Sequence, residues 1–525
     1  MEHVRHAGVN VPLFSLRSHQ DWGIGDIAAL EPLTRWLHAS GLDRLMVLPL
    51  GTMPPGMTSP YSALSTLAID PIYVSLDRVP DFARAGGIDA LSEDGRRALD
   101  AARESAPVRY DLVRRAKDEA LALAFASFVR EEWEQLTPRA ASLAAYVARE
   151  RWWLDDYALF LAIAESRGQW SWRAWPDALR AREPQALDDV RRPLARDVLR
   201  HQYLQWIAES QWQEARTYAR AHDVSLVGDL PFVPGADSPE VWTRLDEFRL
   251  DVSAGVPPDA FSPTGQDWGL PTYRWDVIRE SGYAWMRQRG RRMACLYDLL
   301  RVDHAIGLYR TYGRPAHGDP FFTPAEEPDQ IAQGEAVLRA LGESGIGLIA
   351  EDLGVVPDFL RPSLARLGLP GCKVMRWERD WHAPGAPFLD PPGYPPLSAA
   401  MTGTHDTEPL VVWWSELPID DRRALLAIPA LAARGLDPQA GWSLEIRDAL
   451  IALAITSGSD EVFLPIQDVF GWPDRVNKPG TVGDGNWTWR LPWPAEDLSA
   501  RPDALERSRF LRAIAIEACR LRASD

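Results

Sequence analysis

The 525-residue sequence has few cysteines: Cys295, Cys372 and Cys519 are scattered, and each is expected to be a small buried residue. With no CxxC pair and no histidine–cysteine cluster, the sequence predicts no zinc site, redox pair or disulfide framework. No stretch approaches the roughly eighteen continuous apolar residues of a membrane span. The first residues, MEHVRHAGVNVPLF, lack the apolar run of a signal peptide. A cytoplasmic location is therefore expected.

The sequence is also poor in positive charge, with 57 basic and 74 acidic residues and a net charge of −17. A field of this sign repels nucleic acid and anionic membrane surfaces, and it fits a neutral substrate. A complete glycine-rich fingerprint for a dinucleotide is missing too, because Gly23-Ile24-Gly25 lacks the full spacing. We therefore expect no cofactor, no metal and no nucleic-acid partner.

Tryptophan is abundant, with 23 residues, and proline reaches 43. Sugar rings present flat C–H faces that stack on indole, so this surplus is compatible with carbohydrate binding. Packing of large helices is the alternative, and it accounts for most of the tryptophans.

Short apolar runs recur along the chain, separated by helical stretches. Several are continuous rather than alternating, as expected for parallel strands that are buried on both faces. Eight such strands with helices between them predict an α/β fold, a (β/α)8 TIM barrel with a large helical insertion and long active-site loops. The alternative, a doubly wound open sheet, lacks its glycine fingerprint. The predicted strands are residues 8–16, 44–50, 224–229, 299–303, 347–351, 371–375, 399–406 and 461–468.

The spacing of these strands predicts three regions. Residues 1–81 form the first part of the barrel, residues 82–220 form a mainly helical insertion, and residues 221–525 form the remainder. The third region includes an insertion at 231–276 that is rich in proline, glycine and aromatics and poor in periodicity. Because long loops without regular structure are usually functional, we expect 231–276 to be an active-site lid.

An acidic residue stands at the end of several predicted strands. In barrel enzymes these ends carry the reactive groups. A single strand-end aspartate is more often a helix N-cap, but several that converge on one mouth need another explanation, since crowded like charges must be offset. The acids are Asp229, Asp303, Glu351, Asp406 and Asp468.

Three local sequences give these acids different surroundings. Strand alternation places Arg301 and Asp303 on the same side, where the guanidinium favours an ionised carboxylate, as a nucleophile requires. Glu351 and Asp352 should face opposite ways, and Glu351, after an apolar run, is the better proton donor. In 403–407 (GTHDT) an imidazole stands beside a carboxylate, a pair suited to binding sugar hydroxyls.

Several ordered stretches identify a family. The chain resembles the amylomaltases, the 4-α-glucanotransferases of glycoside hydrolase family 77, over nearly its whole length. The matching stretches are 23–26 (GIGD), 59–61 (SPY), 228–231 (GDLP), 237–238 (DS), 241–242 (VW), 255–259 (GVPPD), 261–269 (FSPTGQDWG), 301–304 (RVDH), 350–354 (AEDLG), 403–406 (GTHD), 477, 479–481 (PGT) and 486–491 (NWTWRL).

The resemblance implies roles for individual residues. Asp303 matches the nucleophile, Glu351 the general acid/base, and Asp406 the carboxylate that stabilises the transition state. A retaining double displacement follows, with the carboxyl groups of Asp303 and Glu351 about 5–5.5 Å apart. The positions that match substrate-binding residues are Ser59, Tyr61, Asp229, Asp259, Phe261, Gln266, Trp268, Arg301, His304, His405 and Asn477.

The function implied is transfer of α-1,4-glucan segments between maltooligosaccharides, including those derived from starch or glycogen. Two alternatives remain: an α-1,4-glucan hydrolase with the same three acids, and a catalytically silent glucan-binding protein. The chain has Ala260, Leu270 and Thr407 where the family commonly has tyrosine, asparagine and asparagine. These differences bear on the preferred chain length and on the ratio of transfer to hydrolysis.

Overall fold

The computed structural model describes residues 5–258, 263–481, 483 and 485–521. Its strands form two sheets, one closed and one open. In chain order the strands are β1 His6–Asn10, β2 Arg44–Met46, β3 Ser225–Leu230, β4 Phe248–Val256, β5 Gln266–Tyr273, β6 Leu299–Val302, β7 Thr311–Pro315, β8 Phe321–Thr323, β9 Gly347–Ala350, β10 Gly371–Val374, β11 Ser398–Met401 and β12 Glu461–Pro465.

The closed sheet is a barrel of eight parallel strands in the order β1-β12-β11-β10-β9-β6-β3-β2. It confirms the predicted (β/α)8 fold and contains a strand from each of the eight predicted runs. Four runs end at least three residues earlier than predicted, at Asn10, Met46, Met401 and Pro465. The run at 8–16 ends as a strand at Asn10, because Pro12 has no N–H for the ladder, and a helical turn at Leu13–Ser15 follows. The run at 399–406 ends at Met401 and continues as a turn.

The interior of the barrel is filled by apolar side chains from its strands. The barrel is therefore a packed core, and only its ends are available for a binding site. The buried residues of this interior are Met46, Val227, Ile349, Cys372, Val374, Ala399, Met401 and Phe463.

Helices surround the barrel, and seven of them, α2 to α8, lie between β2 and β3. No helix in the described part of the chain is long and apolar enough to cross a membrane. The helices are α1 Leu30–Ala39, α2 Pro80–Arg84, α3 Glu93–Glu104, α4 Tyr110–Phe128, α5 Pro138–Arg167, α6 Asp177–Arg180, α7 Pro184–Arg191, α8 Ala195–Ala221, α9 Pro239–Thr243, α10 Trp275–Glu280, α11 Ala284–Leu296, α12 Ala305–Tyr309, α13 Glu327–Gly342, α14 Leu360–Leu367, α15 Leu410–Glu416, α16 Ile419–Leu426, α17 Pro429–Ala432, α18 Leu444–Ile455, α19 Ile466–Phe470 and α20 Pro502–Glu517.

Helix α8 joins these inserted helices to the barrel. Its Trp212 indole donates to the carbonyl oxygen of Leu296 at 2.7 Å, and its Arg216 guanidinium bonds the carboxylate of Asp298. Both partners lie between α11 and β6 or at their ends. The last helix of the insertion therefore also packs as one of the helices around the barrel.

The prediction that 231–276 lacks regular structure is wrong. The segment contains α9 and the antiparallel strands β4 and β5, which join β7 and β8 in a four-stranded sheet ordered β5-β4-β7-β8. The pairing of β4 with β5 shifts register twice, and β4 also pairs with β7, which is distant in sequence. Because of these register shifts and distant partners, the strands do not show the regular alternation of apolar and polar residues by which a strand is recognised in a sequence.

The prediction that all three cysteines are buried is also wrong. Cys372 is buried inside the barrel, but Cys295 and Cys519 are exposed. Cys295 lies in the last turn of α11 and Cys519 follows α20, so both stand on outer helices rather than on the core strands.

Candidate active site

The carboxyl ends of the barrel strands bring the predicted acids to one mouth. Asp229 lies within β3, Asp303 directly follows β6, and Glu351 directly follows β9. In the register of the barrel, Asp229 pairs with Arg301 and Val302 pairs with Ala350. The side chains that end these three neighbouring strands therefore meet.

Arg301 is the centre of this group. Its Nη1 atom lies 2.5 Å from Asp229 Oδ2 and 3.2 Å from Asp303 Oδ1, and its Nη2 atom lies 3.3 Å from Glu351 Oε2. Strand alternation put Arg301 and Asp303 on one side, as predicted. Arg301 is buried, so its charge is weakly screened and is shared among three carboxylates.

The carboxyl group of Asp303 holds its proton more strongly than an ordinary aspartate. Burial and the neighbouring Glu351 carboxylate raise the pKa of Asp303 well above its usual range, although Arg301 lowers it. Arg301 does lower the pKa of Asp303, as predicted, but burial and Glu351 together raise it by more.

Glu351 and Asp352 face opposite ways, as strand alternation predicts. Glu351 Oε2 accepts a hydrogen bond from the backbone N–H of His304 at 2.5 Å. Asp352 turns away from the mouth and accepts from the Cys372 N–H at 2.6 Å and from Arg361 Nε at 3.0 Å. Glu351 therefore reaches the mouth, and Asp352 fastens the loop after β9 to β10.

His304 follows Asp303 with a left-handed backbone, φ 47°, a conformation that a non-glycine residue adopts only when its surroundings impose it. The imidazole packs edge-on against Trp268, with ring centroids 4.9 Å apart, and against Phe232 at 5.6 Å. Burial lowers the pKa of His304 to about 4, although Glu351 opposes the shift. The imidazole is therefore neutral near pH 7.

Asp406 stands in a separate environment, with its side chain 42% exposed. Its Oδ1 atom accepts a hydrogen bond from Asn477 Nδ2 at 2.6 Å, and its Oδ2 atom lies 3.4 Å from His405 Nε2. Burial alone would raise the pKa of Asp406, but His405 and the Asn477 amide outweigh it and lower the pKa to about 2. Asp406 is therefore ionised near pH 7.

Tyr61 connects the two groups of acids. Its hydroxyl donates to Asp229 Oδ2 at 2.6 Å, and its ring stacks on His405 with centroids 5.0 Å apart and 23° between planes. Trp487 packs against both rings, 5.7 Å from Tyr61 and 5.8 Å from His405. Together these rings form an aromatic cluster between Asp229 and Asp406.

The remaining predicted binding residues have less direct positions. Ser59 shapes the turn before Tyr61, because its hydroxyl oxygen accepts from the Tyr61 N–H at 3.3 Å. Trp268 donates from Nε1 to Gln266 Oε1 at 3.2 Å, so both stand beside His304 on strand β5. Asp259 and Phe261, and also Ala260, lie outside the described residues.

Asp468, the fifth strand-end acid, does not enter the mouth. Its Oδ2 atom accepts from Thr402 Oγ1 at 2.5 Å, and its Oδ1 atom accepts from the Leu410 N–H at the start of α15 at 2.7 Å. Asp468 is therefore not the N-cap residue of a helix, but its carboxylate satisfies the first N–H of α15 from outside that helix.

Sequence reasoning missed a network that holds the backbone around Asp406. Arg475 donates to the carbonyl oxygen of Asp406 and, at 2.6 Å, to that of Asn477. Glu408 bridges Arg475 at 3.5 Å and Arg376 at 2.8 Å, and Arg376 also donates to the Thr402 carbonyl at 3.2 Å. Contacts to carbonyl oxygens leave no residue-type pattern in a sequence, so no signal could have found them.

Two further aromatics were missed. Phe232 follows β3 and packs on His304, and Trp487 packs on Tyr61. Trp487 lies in the matched stretch 486–491, which was the available signal. No group of three or more histidine, cysteine, aspartate or glutamate side chains in the described ranges is arranged to hold a metal ion.

Comparison with known proteins adds a family to this geometry. The sequence model of the 4-alpha-glucanotransferases, glycoside hydrolase family 77, matches residues 11–496. A 4-alpha-glucanotransferase of Thermus thermophilus is 34% identical over 512 residues, covering 93% of this chain and 96% of the relative. One from Synechocystis is 34% identical over 467 residues, covering 85% of each.

A solved structure agrees with these relatives. The amylomaltase from Streptococcus agalactiae, in complex with acarbose, superposes with a TM-score of 0.81 at 28% identity and covers 99% of this chain and 100% of its own. The amylomaltase from Corynebacterium glutamicum, at 23% identity and a TM-score of 0.78, covers 97% of this chain and 75% of its own and shares the fold.

Proposed function

The chain belongs to glycoside hydrolase family 77, the 4-alpha-glucanotransferases, and on that premise we propose that Asp303, Glu351 and Asp406 carry out its transfer reaction by a retaining double displacement. The observation that carries this proposal is the contrast at the mouth. Asp303 and Glu351 both contact the buried Arg301, whereas Asp406 is hydrogen-bonded to Asn477.

In the first step an α-1,4-linked donor binds with its scissile bond between Asp303 and Glu351. Glu351 gives its proton to the glycosidic oxygen while a carboxylate oxygen of Asp303 attacks the anomeric carbon. The bond from that carbon to the glycosidic oxygen breaks, and the departing chain carries a new 4-hydroxyl group. A glucosyl ester of Asp303 remains, with one negative charge left on Glu351.

In the second step the 4-hydroxyl of another glucan takes the place of the departed chain. Glu351, now a carboxylate, removes the hydroxyl proton, and the oxygen attacks the anomeric carbon. The ester bond to Asp303 breaks, and its carboxylate and the proton on Glu351 are restored. Two inversions give overall retention of the α configuration.

Arg301 and Asp406 stabilise charge at different moments of this cycle. Arg301 stabilises the Asp303 carboxylate as the ester forms and breaks, since Nη1 lies 3.2 Å from Oδ1. Asp406 keeps its negative charge throughout and faces the positive charge that develops on the sugar ring in an oxocarbenium-like transition state. His405 and Tyr61 offer an aromatic surface and polar atoms to the same sugar.

Maltooligosaccharides and longer α-1,4-glucans are the substrates we propose. The acarbose bound to the Streptococcus agalactiae amylomaltase supports a cleft that accepts glucan-like chains in this family. Transfer requires the acceptor to compete with water, which depends on acceptor binding next to Glu351. Trp268, which packs on His304, is the aromatic that we propose for this side of the cleft.

Incubation with maltotriose tests the proposal. Glucose should appear together with a ladder of longer oligomers, while the number of reducing ends stays nearly constant. Accumulation of glucose and maltose alone, with reducing ends rising, would contradict transfer and support hydrolysis by the same three acids. Chromatography of the products combined with a reducing-end assay distinguishes the two results.

A further inference from the structure

Three tryptophans outside the cleft, Trp472, Trp489 and Trp493, form one partly exposed aromatic surface, here called the tryptophan patch. The ring of Trp472 lies 5.9 Å from that of Trp489 and 5.1 Å from that of Trp493. Phe470 stacks on Trp472 at 4.5 Å with 9° between planes and so covers one face of the indole. The opposite face of Trp472 is turned away from this support.

The indole N–H groups of the patch differ from those of tryptophans in the core. Trp212 and Trp242 are fully buried and donate to carbonyl oxygens at 2.7 and 2.9 Å. Among the described residues, none accepts a hydrogen bond from the indole nitrogens of the patch. The patch therefore combines aromatic faces with free donors, as binding of a sugar requires.

The patch is held in place by its neighbours. Phe470 ends helix α19, directly after β12, and stacks on the buried Trp36 with ring centroids 5.6 Å apart. On the other side the Arg501 guanidinium lies 4.1 Å from the ring of Trp493. Because these rings are ordered before any ligand arrives, binding would cost little side-chain entropy.

The patch and the cleft are built by the same part of the chain. Trp472 precedes Arg475 by three residues, and Arg475 bonds the carbonyl oxygen of Asp406. Trp489 follows Trp487 by two residues, and Trp487 packs in the aromatic cluster beside His405. Short stretches of chain therefore connect the patch to residues of the cleft.

We propose that the tryptophan patch binds an α-glucan chain outside the catalytic cleft, so that long glucans attach to the enzyme at two points. The ligand class follows from the chemistry, because pyranose rings of a neutral polymer offer apolar faces and hydroxyl acceptors in regular succession. Two linked contacts raise the affinity for a long chain above that of the cleft alone. This inference rests on the proposed function, which supplies the α-glucan.

Affinity for soluble amylose directly tests whether the tryptophan patch binds glucan. In an Asp303→Asn background, which does not consume the ligand, retardation in native gels containing amylose gives the Kd. Trp472→Ala, Trp489→Gln and Trp493→Gln should each weaken amylose binding by about threefold to tenfold, the range expected for loss of one stacked aromatic contact. Trp381→Ala is the matched control, since Trp381 is 69% exposed but belongs to the loop after β10.

The outcomes separate this inference from the proposed function. Unchanged amylose affinity in folded patch variants, or an equal loss of affinity in the Trp381 control, would contradict the proposal that the patch binds glucan. If Trp472→Ala does not fold, as thermal unfolding will show, the variants at Trp489 and Trp493 decide. In the active enzyme the ratio of kcat/KM for amylose to that for maltotriose should fall with the patch variants. Failure of the parent enzyme to transfer with maltotriose would instead refute the proposed function.

Discussion

The two sides of the barrel mouth place the same kind of side chain in opposite environments. On one side Asp303 and Glu351 share the buried Arg301 with Asp229, and crowding raises the pKa of Asp303. On the other side Asp406 is 42% exposed, has its own amide donor in Asn477, and has a pKa lowered to about 2.

The difference shows that one mouth can hold carboxyl groups whose pKa values are shifted in opposite directions. Burial and the neighbouring acids raise the pKa of Asp303 more than the shared Arg301 lowers it. A carboxylate with separate donors has no such competition. Environments that separate pKa values in this way assign acid and stabiliser to different residues.

Removing the shared cation should have the largest effect. Arg301→Met leaves the buried Asp229 and its neighbours without a positive charge, and we expect a loss of about 3–5 kcal/mol in the free energy of unfolding. The kcat for maltotriose should fall by about 10²–10³, since a stabilising donor at the reacting carboxylate is lost. Urea unfolding at pH 7 and initial rates measure the two losses.

The control for this variant lies on helix α4. Arg115 pairs with Asp94 and both side chains are exposed, 58% and 60%, so Arg115→Met should cost at most about 1 kcal/mol. Equal stability losses in the two variants would show that Arg301 is an ordinary ion-pair partner.

Removing the Asn477 amide that donates to Asp406, on the other side of the mouth, should have an intermediate effect on activity. Asn477→Ala deletes the 2.6 Å hydrogen bond to Asp406 Oδ1. Hydrogen bonds to charged groups contribute about 1.5–3 kcal/mol, and the exposure of Asp406 favours the lower end, so kcat/KM should fall by about tenfold. Steady-state kinetics with Asn486→Ala, a half-buried asparagine in the same segment, provides the comparison. Similar losses in both variants would argue against a specific role for Asn477.

A smaller effect concerns His304, beside Glu351. Histidine in the unfolded chain takes up a proton near pH 6.5, but His304 in the folded chain does so only near 4. Protonation between these values therefore favours the unfolded chain, and His304 makes stability fall as pH drops through this window. His304→Gln should lose less stability than the parent between pH 6.5 and 4.5, measured by urea midpoints. An unchanged slope would mean that His304 does not titrate as described.

The sequence was sufficient for the barrel and for its acids because each strand is an apolar run that ends at a polar residue. Asp303 and Glu351 could be found from this pattern, and alternation placed Arg301 beside Asp303. The family resemblance was needed for distinct roles, since residue type alone does not separate Asp303 from Asp406.

Other features depend on contacts that a sequence does not display. The sheet of β4, β5, β7 and β8 forms by register-shifted, distant pairs, so its strands were interpreted as a loop. Arg376 and Arg475 act on carbonyl oxygens, which any residue can supply. The raised pKa of Asp303 depends on its burial and on the acids that surround it, both of which only the fold determines.

Trapping of the covalent intermediate tests the central contrast most directly. A fluorinated α-glucosyl fluoride that forms the ester faster than it is released should leave one glucosyl group on the enzyme, located by mass spectrometry of its peptides. We expect the label on the carboxyl group of Asp303. A label on Asp406, or turnover of the reagent with no ester at Asp303, would contradict it.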